Sequence, residues 1–284
     1  MIGDLAALPG DLRDQVLAAA RDARTPGLAV PRPPVMTAVE AFGRAADSLY
    51  AVLCALEEEQ WLAPALRDLD VQGAVGHLTA VETDMHRALA DDDAVAKADH
   101  VASTQAVAAA QRGRPARATC RDWRDAVDRT IALADSEPAE RRVAIHGLAM
   151  RLCDLLVVRA FELWTHENDI RLAVGLPPSV PDDATLCLMT ALAIQLLPIG
   201  VARVGLSTSP VDLHLVLTGP GGGAWDLTVG ATAGQSVATT IVADSVGFCR
   251  LVANRVRPDD LEVVVEGADR AYEVLAGAAS LALD

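Results

Sequence analysis

Six histidines punctuate the 284 residues of this chain: His77, His86, His100, His146, His166 and His214. The sharpest local arrangement among the groups that could do chemistry is Arg159-x-x-Glu162-x-x-x-His166. Residues three and four apart share one face of a helix, so Glu162 and His166 can hold one metal ion from the same helix. His77 sits mid-helix between Val75 and Leu78, with no charged residue in the turn before it and Asp84 two turns on along the same face. Two histidines and a glutamate from two helices make a three-ligand site with open positions, the form of a catalytic zinc site rather than a structural one. Spacing alone leaves the plain alternatives open. A Glu/His pair one turn apart also serves as an ordinary surface interaction, and a mid-helix histidine as a core or groove residue. Asp169 or Asp84 can accept from a ligand imidazole N–H, and Arg159 and Asp169 read equally as helix-surface charges.

Other chemistries find less support. Gly219-Pro220-Gly221-Gly222-Gly223 has no Gly-Lys-Ser/Thr after it, so it is a hairpin connection and not a phosphate loop. No Gly-x-Ser-x-Gly, dinucleotide-binding or Walker pattern occurs. The five cysteines, Cys54, Cys120, Cys153, Cys187 and Cys249, are odd in number, widely spaced and without a Cys-x-x-Cys. A disulfide framework or four-thiolate zinc site is therefore not expected, and the compartment reads as a reducing cytoplasm. Asp4 comes early and no basic region precedes an apolar run, so no signal peptide is expected.

The elements that must position these groups follow from periodicity. Asp11 to Arg24 has helical spacing, and Pro31, Pro33 and Pro34 make a linker after it. From Thr37 a helix is marked by Phe42, Leu49, Val52, Leu53 and Leu56, with Glu57, Glu58 and Glu59 as a solvated end. Asp70 is the N-cap of a second long helix running to Leu89. Trp123, Val127, Ile131 and Leu133 suggest a third. Pro138 opens a fourth through Val143 and Leu148, and a fifth runs from Met150 to about Val174, stopped by Gly175, Pro177 and Pro178. The charge-free stretch from Asp183 to Arg203 holds Thr185, Thr190, Gln195, Pro198 and Gly200, so it reads as a buried helix and not a membrane span.

After residue 205 the period changes from 3.6 to 2. Val211, Leu213, Leu215 and Leu217 alternate with other residues, as do Trp225, Leu227 and Val229. The predicted order is strand-strand-strand-helix-strand-helix, a small α+β unit. The chain is 51% hydrophobic but only 3% aromatic, so its core is built from Ala, Leu and Val. Lys and Arg number 24 against 39 Asp and Glu, a formal charge of −15. Such a surface repels phosphate backbones and anionic membranes, so neither nucleic acid nor membrane is an expected partner.

Two stretches carry a resemblance. Leu66 to Leu78, ending in Ala74-Val75-Gly76-His77-Leu78, resembles the first metal-ligand helix of the mycothiol-dependent maleylpyruvate isomerase family. Arg159-Ala160-Phe161-Glu162-Leu163-Trp164-Thr165-His166, continuing to Ala173-Val174-Gly175-Leu176-Pro177, resembles its second. The resemblance spans about residues 37 to 282. It implies an α+β multidomain fold: an N-terminal helical extension and Pro-rich linker over 1–36, a DinB-like four-helix metal-binding bundle over 37–204, and a sterol-carrier-like α+β domain over 205–284. It further implies that His77, Glu162 and His166 bind a divalent metal such as zinc, with mycothiol as thiol cofactor or co-substrate and a small electrophile as substrate. Isomerase and thiol S-transferase activities both fit. A non-catalytic binding module of the same fold and a hydrolase using zinc-bound water are the alternatives. Arg250, Arg255 and Arg257 are candidates by location for a C-terminal catalytic arginine; no residue is assigned that role.

Overall fold

The computed structural model describes residues 35–283 except 67 and 206–208. The expected helix over 11–24 and the proline linker before residue 35 lie outside the described residues.

The first helix, α1, spans Ala38–Ala55 and starts in a capping box, in which Glu40 N–H donates to Thr37 Oγ1 and Thr37 N–H to the Glu40 carboxylate. A 3-10 turn, Glu58–Leu62, buries Trp61 and leaves the three glutamates in solvent. A short antiparallel pair, β1 (Pro64–Leu66) and β2 (Leu69–Asp70), delivers the chain to α2, Val71–Leu89. Asp70 caps α2 by accepting from Gly73 N–H at 2.7 Å. The chain from 93 to 135 is largely helical: α3 is Asp93–Ala96, α4 is His100–Ala109 and α5 is Ala116–Asp135.

The expected helix from Pro138 through Leu148 is instead a hairpin, β3 (Arg142–Ile145) and β4 (Leu148–Arg151). Val143 and Ile145 are buried and Arg142 and Ala144 exposed, so the period is 2. His146 and Gly147 form the two-residue turn with φ of 49° and 78°, which gives the strands the twist they need. The long helix α6, Leu152–Ala173, follows, and then α7, Asp183–Val204, capped by Asp182.

Beyond α7 the predicted order holds: β5 (Pro210–Thr218), β6 (Gly223–Gly230), β7 (Val237–Asp244), α8 (Ser245–Val252), β8 (Val263–Gly267) and α9 (Ala271–Ala279). The four strands form one sheet in the order β6-β5-β7-β8, with β5 and β7 parallel and the other pairs antiparallel. The glycine run does join β5 to β6. Gly221 has φ of 67°, and its carbonyl accepts from Thr190 of α7; a Cβ there would meet Leu186.

Two apolar clusters hold the molecule. One gathers Phe42 and Leu49 of α1, Val75 and Met85 of α2, Trp123 of α5 and Leu155 of α6. The other joins Val158 and Phe161 of α6, Leu186 and Leu197 of α7, the inner face of the sheet, and Phe248 and Val274. Helix α6 therefore serves both clusters and is buried without a break from Leu155 to Glu167. A helix enclosed on all sides must satisfy its own polar residues, and α6 carries Arg159, Glu162, Thr165, His166 and Glu167 into that interior.

Candidate metal centre

Helices α2 and α6 bring together the three residues singled out by spacing. One ligand atom each from His77, Glu162 and His166 lies within 4.8 Å of the others. His77 Nε2 is 3.4 Å from Glu162 Oε1, and the rings of His77 and His166 meet edge to face with centroids 5.5 Å apart. Glu162 and His166 are buried; His77 keeps slight exposure.

The hydrogen bonds around the two imidazoles turn one nitrogen of each toward the glutamate. The Thr104 hydroxyl donates to the His100 carbonyl at 3.0 Å, so it accepts from His77 Nδ1–H at 2.8 Å, which leaves His77 Nε2 with its lone pair. His166 Nδ1–H donates to Asp169 Oδ2 at 3.2 Å, which leaves His166 Nε2 as the acceptor nitrogen. Asp169 in turn accepts two bonds from Arg255, from Nε at 2.9 Å and from Nη2 at 2.7 Å. Burial raises the Asp169 carboxyl, but the bonds from His166 and Arg255 outweigh it and hold the acid below its usual range. Burial depresses His166 in spite of Asp169, so the imidazole is neutral, as an ion requires.

Glu162 is held from its other oxygen. Arg159, 2% exposed, donates from Nη1 to Glu162 Oε2 and from Nη2 to Glu82 Oε1 at 2.5 Å. Glu82, fully buried, also accepts from Thr130 Oγ1 at 2.6 Å. Arg159 is thus no helix-surface charge: it is the buried cation between two buried carboxylates. One positive and two negative charges leave a deficit in a water-poor interior, and Glu162 Oε1 is buried with no hydrogen-bond partner among the described residues. A divalent cation would satisfy both. The donor set of two imidazoles and one carboxylate suits zinc.

The remaining candidates separate. Asp84 does not reach a ligand imidazole; its Oδ2 accepts from His146 Nε2 at 2.9 Å. Arg255 reaches the centre through Asp169, and Arg250 and Arg255 line a cavity of about 310 Å³ with Trp164, Thr165, Asp169 and Leu172. Arg257 is 77% exposed and faces Asp259 and Asp260. His86 bonds to Ala126 and Thr130, and His214 pairs with Asp226 on the sheet. All five cysteines are free, and burial pushes Cys120 up to about 12 and raises Cys153, Cys187 and Cys249. None of those four is a thiolate nucleophile at neutral pH. Thr104, His100, His146, Glu82 and the Asp169–Arg255 pairing had no local sequence signal, because each contact joins different elements.

Residues 42–171 match the family model of the mycothiol maleylpyruvate isomerase N-terminal domain. The chain is similar in fold to a crystal structure of the mycothiol-dependent maleylpyruvate isomerase, with a TM-score of 0.54 and 14% identity over 80% of this chain and 91% of that chain. A histidine-to-alanine mutant of that enzyme matches with the same score, identity and coverage. No curated protein matches the sequence.

Proposed function

We propose, from the match of residues 42–171 to the family model of the mycothiol maleylpyruvate isomerase N-terminal domain, that the chain is a metal- and thiol-dependent isomerase. The metal is zinc, the thiol is mycothiol, the substrate is a small electrophile with a conjugated double bond, and the compartment is the cytoplasm. The observation that carries this reading is the buried, unpartnered Glu162 Oε1 facing His77 Nε2 beside His166.

The protein's own part is to prepare a donor set and keep it still. Thr104 and Asp169 set the imidazole orientations, and Arg255 fixes Asp169. Arg159 and Glu82 hold Glu162 at one oxygen so that the other stays available. Apolar packing on both sides of α6 excludes water, which strengthens every charge interaction at the centre. With zinc and thiol bound, the site is supplied with a thiolate at a pH where a free thiol, with a pKa of about 8.5, is largely protonated; reversible thiolate addition permits rotation about a conjugated double bond. The raised cysteines agree with a thiol that comes from outside the chain.

Metal analysis of the purified protein, followed by cis–trans isomerisation of an unsaturated keto acid with and without mycothiol, tests the proposal. Turnover that needs both zinc and thiol supports it. A stable thiol adduct as the end product makes the protein an S-transferase. Hydrolysis that proceeds without thiol makes it a zinc-water hydrolase. Absence of metal even after zinc is added sinks the enzyme reading and leaves a binding module.

A further inference from the structure

The cavity of about 310 Å³ lies between the second half of α6 and the end of α8. Trp164, Leu172, Leu176, Pro178 and Val256 give it apolar walls. Asp169 lines it as well and accepts from His166 Nδ1–H, so the cavity and the metal centre share a residue. The volume stands at the small end of the range for ligand pockets, about 300–1,000 Å³.

Most polar groups around the cavity are already occupied. Asp169 Oδ1 accepts from Arg255 Nε, and its Oδ2 accepts from Arg255 Nη2 and His166. Arg255 Nη1 donates to the Ala253 carbonyl. The Asn168 amide holds Ser179 through both its oxygen and its nitrogen, and Trp164 Nε1 donates to the Ser179 carbonyl. Two groups stand outside this web. Thr165 is 2% exposed, and its Oγ1 is buried with no partner among the described residues. A threonine within a helix commonly donates to the carbonyl four residues back. Thr79, Thr104, Thr130 and Thr190 do so here, and Thr165 does not. Arg250 is half-buried, and its side chain makes no hydrogen bond or ion pair with any described residue.

Asp169 neutralises Arg255, so Arg250 is the uncompensated charge among the residues lining the cavity. A half-buried guanidinium, a buried hydroxyl and apolar walls together suit a small organic anion. The guanidinium pairs with a carboxylate, the hydroxyl donates to one of its oxygens, and the walls take the hydrocarbon part. We infer that this cavity is the subsite for the carboxylate of a small unsaturated acid, with Thr165 and Arg250 as its specificity-determining residues. The inference rests on the reading of the chain as an enzyme acting on a small electrophile. Thr165 directly precedes His166 and Asp169 is shared, so an acid held there lies beside the metal centre.

Titration of the zinc-free full chain with sorbate, a short conjugated monocarboxylate, and with sorbamide, its neutral counterpart, tests the subsite; ligand-observed NMR reads the affinity. Sorbate should bind saturably and at least about tenfold more tightly than sorbamide. Arg250→Met should lose that preference. Thr165→Val should weaken sorbate about tenfold, and Thr165→Ser should restore the wild-type affinity. Absence of saturable sorbate binding, equal affinity for the amide, or an unchanged preference in Arg250→Met overturns the proposal. If Thr165→Val does not fold, Arg250→Met decides. None of these measurements needs metal or thiol, so the two readings fail separately. Zinc uptake and thiol-dependent turnover without sorbate binding overturn the subsite and leave the enzyme reading intact. Sorbate binding with the stated preference, by a chain that takes up no zinc, supports the anion site and ends the enzyme reading.

Discussion

Arg255 grips Asp169 with two parallel hydrogen bonds, 2.9 Å and 2.7 Å, and through it ties the segment after α8 to the helix that bears Glu162 and His166. The aspartate then has one stable orientation, and so has the His166 ring that donates to it. Arg255→Ala should weaken zinc binding about 10- to 100-fold while leaving the helical signal in circular dichroism unchanged. Chelator competition checks the affinity; wild-type affinity in the variant would remove Arg255 from the support of the centre.

His166→Ala should abolish tight zinc binding and thiol-dependent turnover without unfolding the chain. The two apolar clusters, and not the ion, hold α6 in place. The variant should lose only the stabilisation that zinc binding adds, so its melting temperature should equal that of the wild type in chelator. A variant that unfolds would make the metal structural.

Arg159→Met should be among the most damaging substitutions in the protein. It strands Glu82 and Glu162 as buried carboxylates, 0% and 3% exposed, with no cation between them. Breaking a buried charge network from one side costs about 3–5 kcal/mol. Urea denaturation in chelator measures it. A loss below about 1 kcal/mol would show that the carboxylates find other partners.

Acid should destabilise the metal-free protein in a defined window. His86, His100 and His166 all lie below the ordinary 6.5, each chiefly through burial, and His100 is pushed to about 3. As pH falls below 6.5 the unfolded chain takes up protons that the folded imidazoles refuse. Stability is thus complete above about 6.5 and declines from there toward pH 3. Melting temperature against pH in chelator should fall through that range, and a flat profile from pH 7 to 4 would contradict it.

Gly221→Ala tests the seat of the sheet on α7. The residue has φ of 67°, and a Cβ would collide with Leu186. Backbone strain alone costs about 1–3 kcal/mol. Thermal melts should show a clear loss, whereas zinc content should stay at the wild-type level because the centre lies on α2 and α6.

What could be read from the sequence is what helix pitch, strand alternation and capping determine locally. Glu162 and His166 share a face because they are one turn apart, Asp70 caps α2 because its carboxylate reaches Gly73, and the shift to alternation after residue 205 announces the sheet. A four-residue strand offers too few positions to reveal its period, so the spacing from Pro138 to Leu148 reads as a helix although the chain there is a hairpin turning at His146-Gly147. Long-range packing decided the rest. Only the crossing of α2 and α6 sets His77 against Glu162, and only the enclosure of α6 by two apolar clusters turns Arg159 from a surface charge into a buried partner of two glutamates. Whether the apolar helix α7 joins the bundle or the sheet is likewise settled by contacts, and it shares its core with the sheet. Local geometry constrains neighbours a few residues apart; the partners of Asp169, Asp84 and Glu82 come from distant elements, so they are determined only when the side chains of those elements interdigitate.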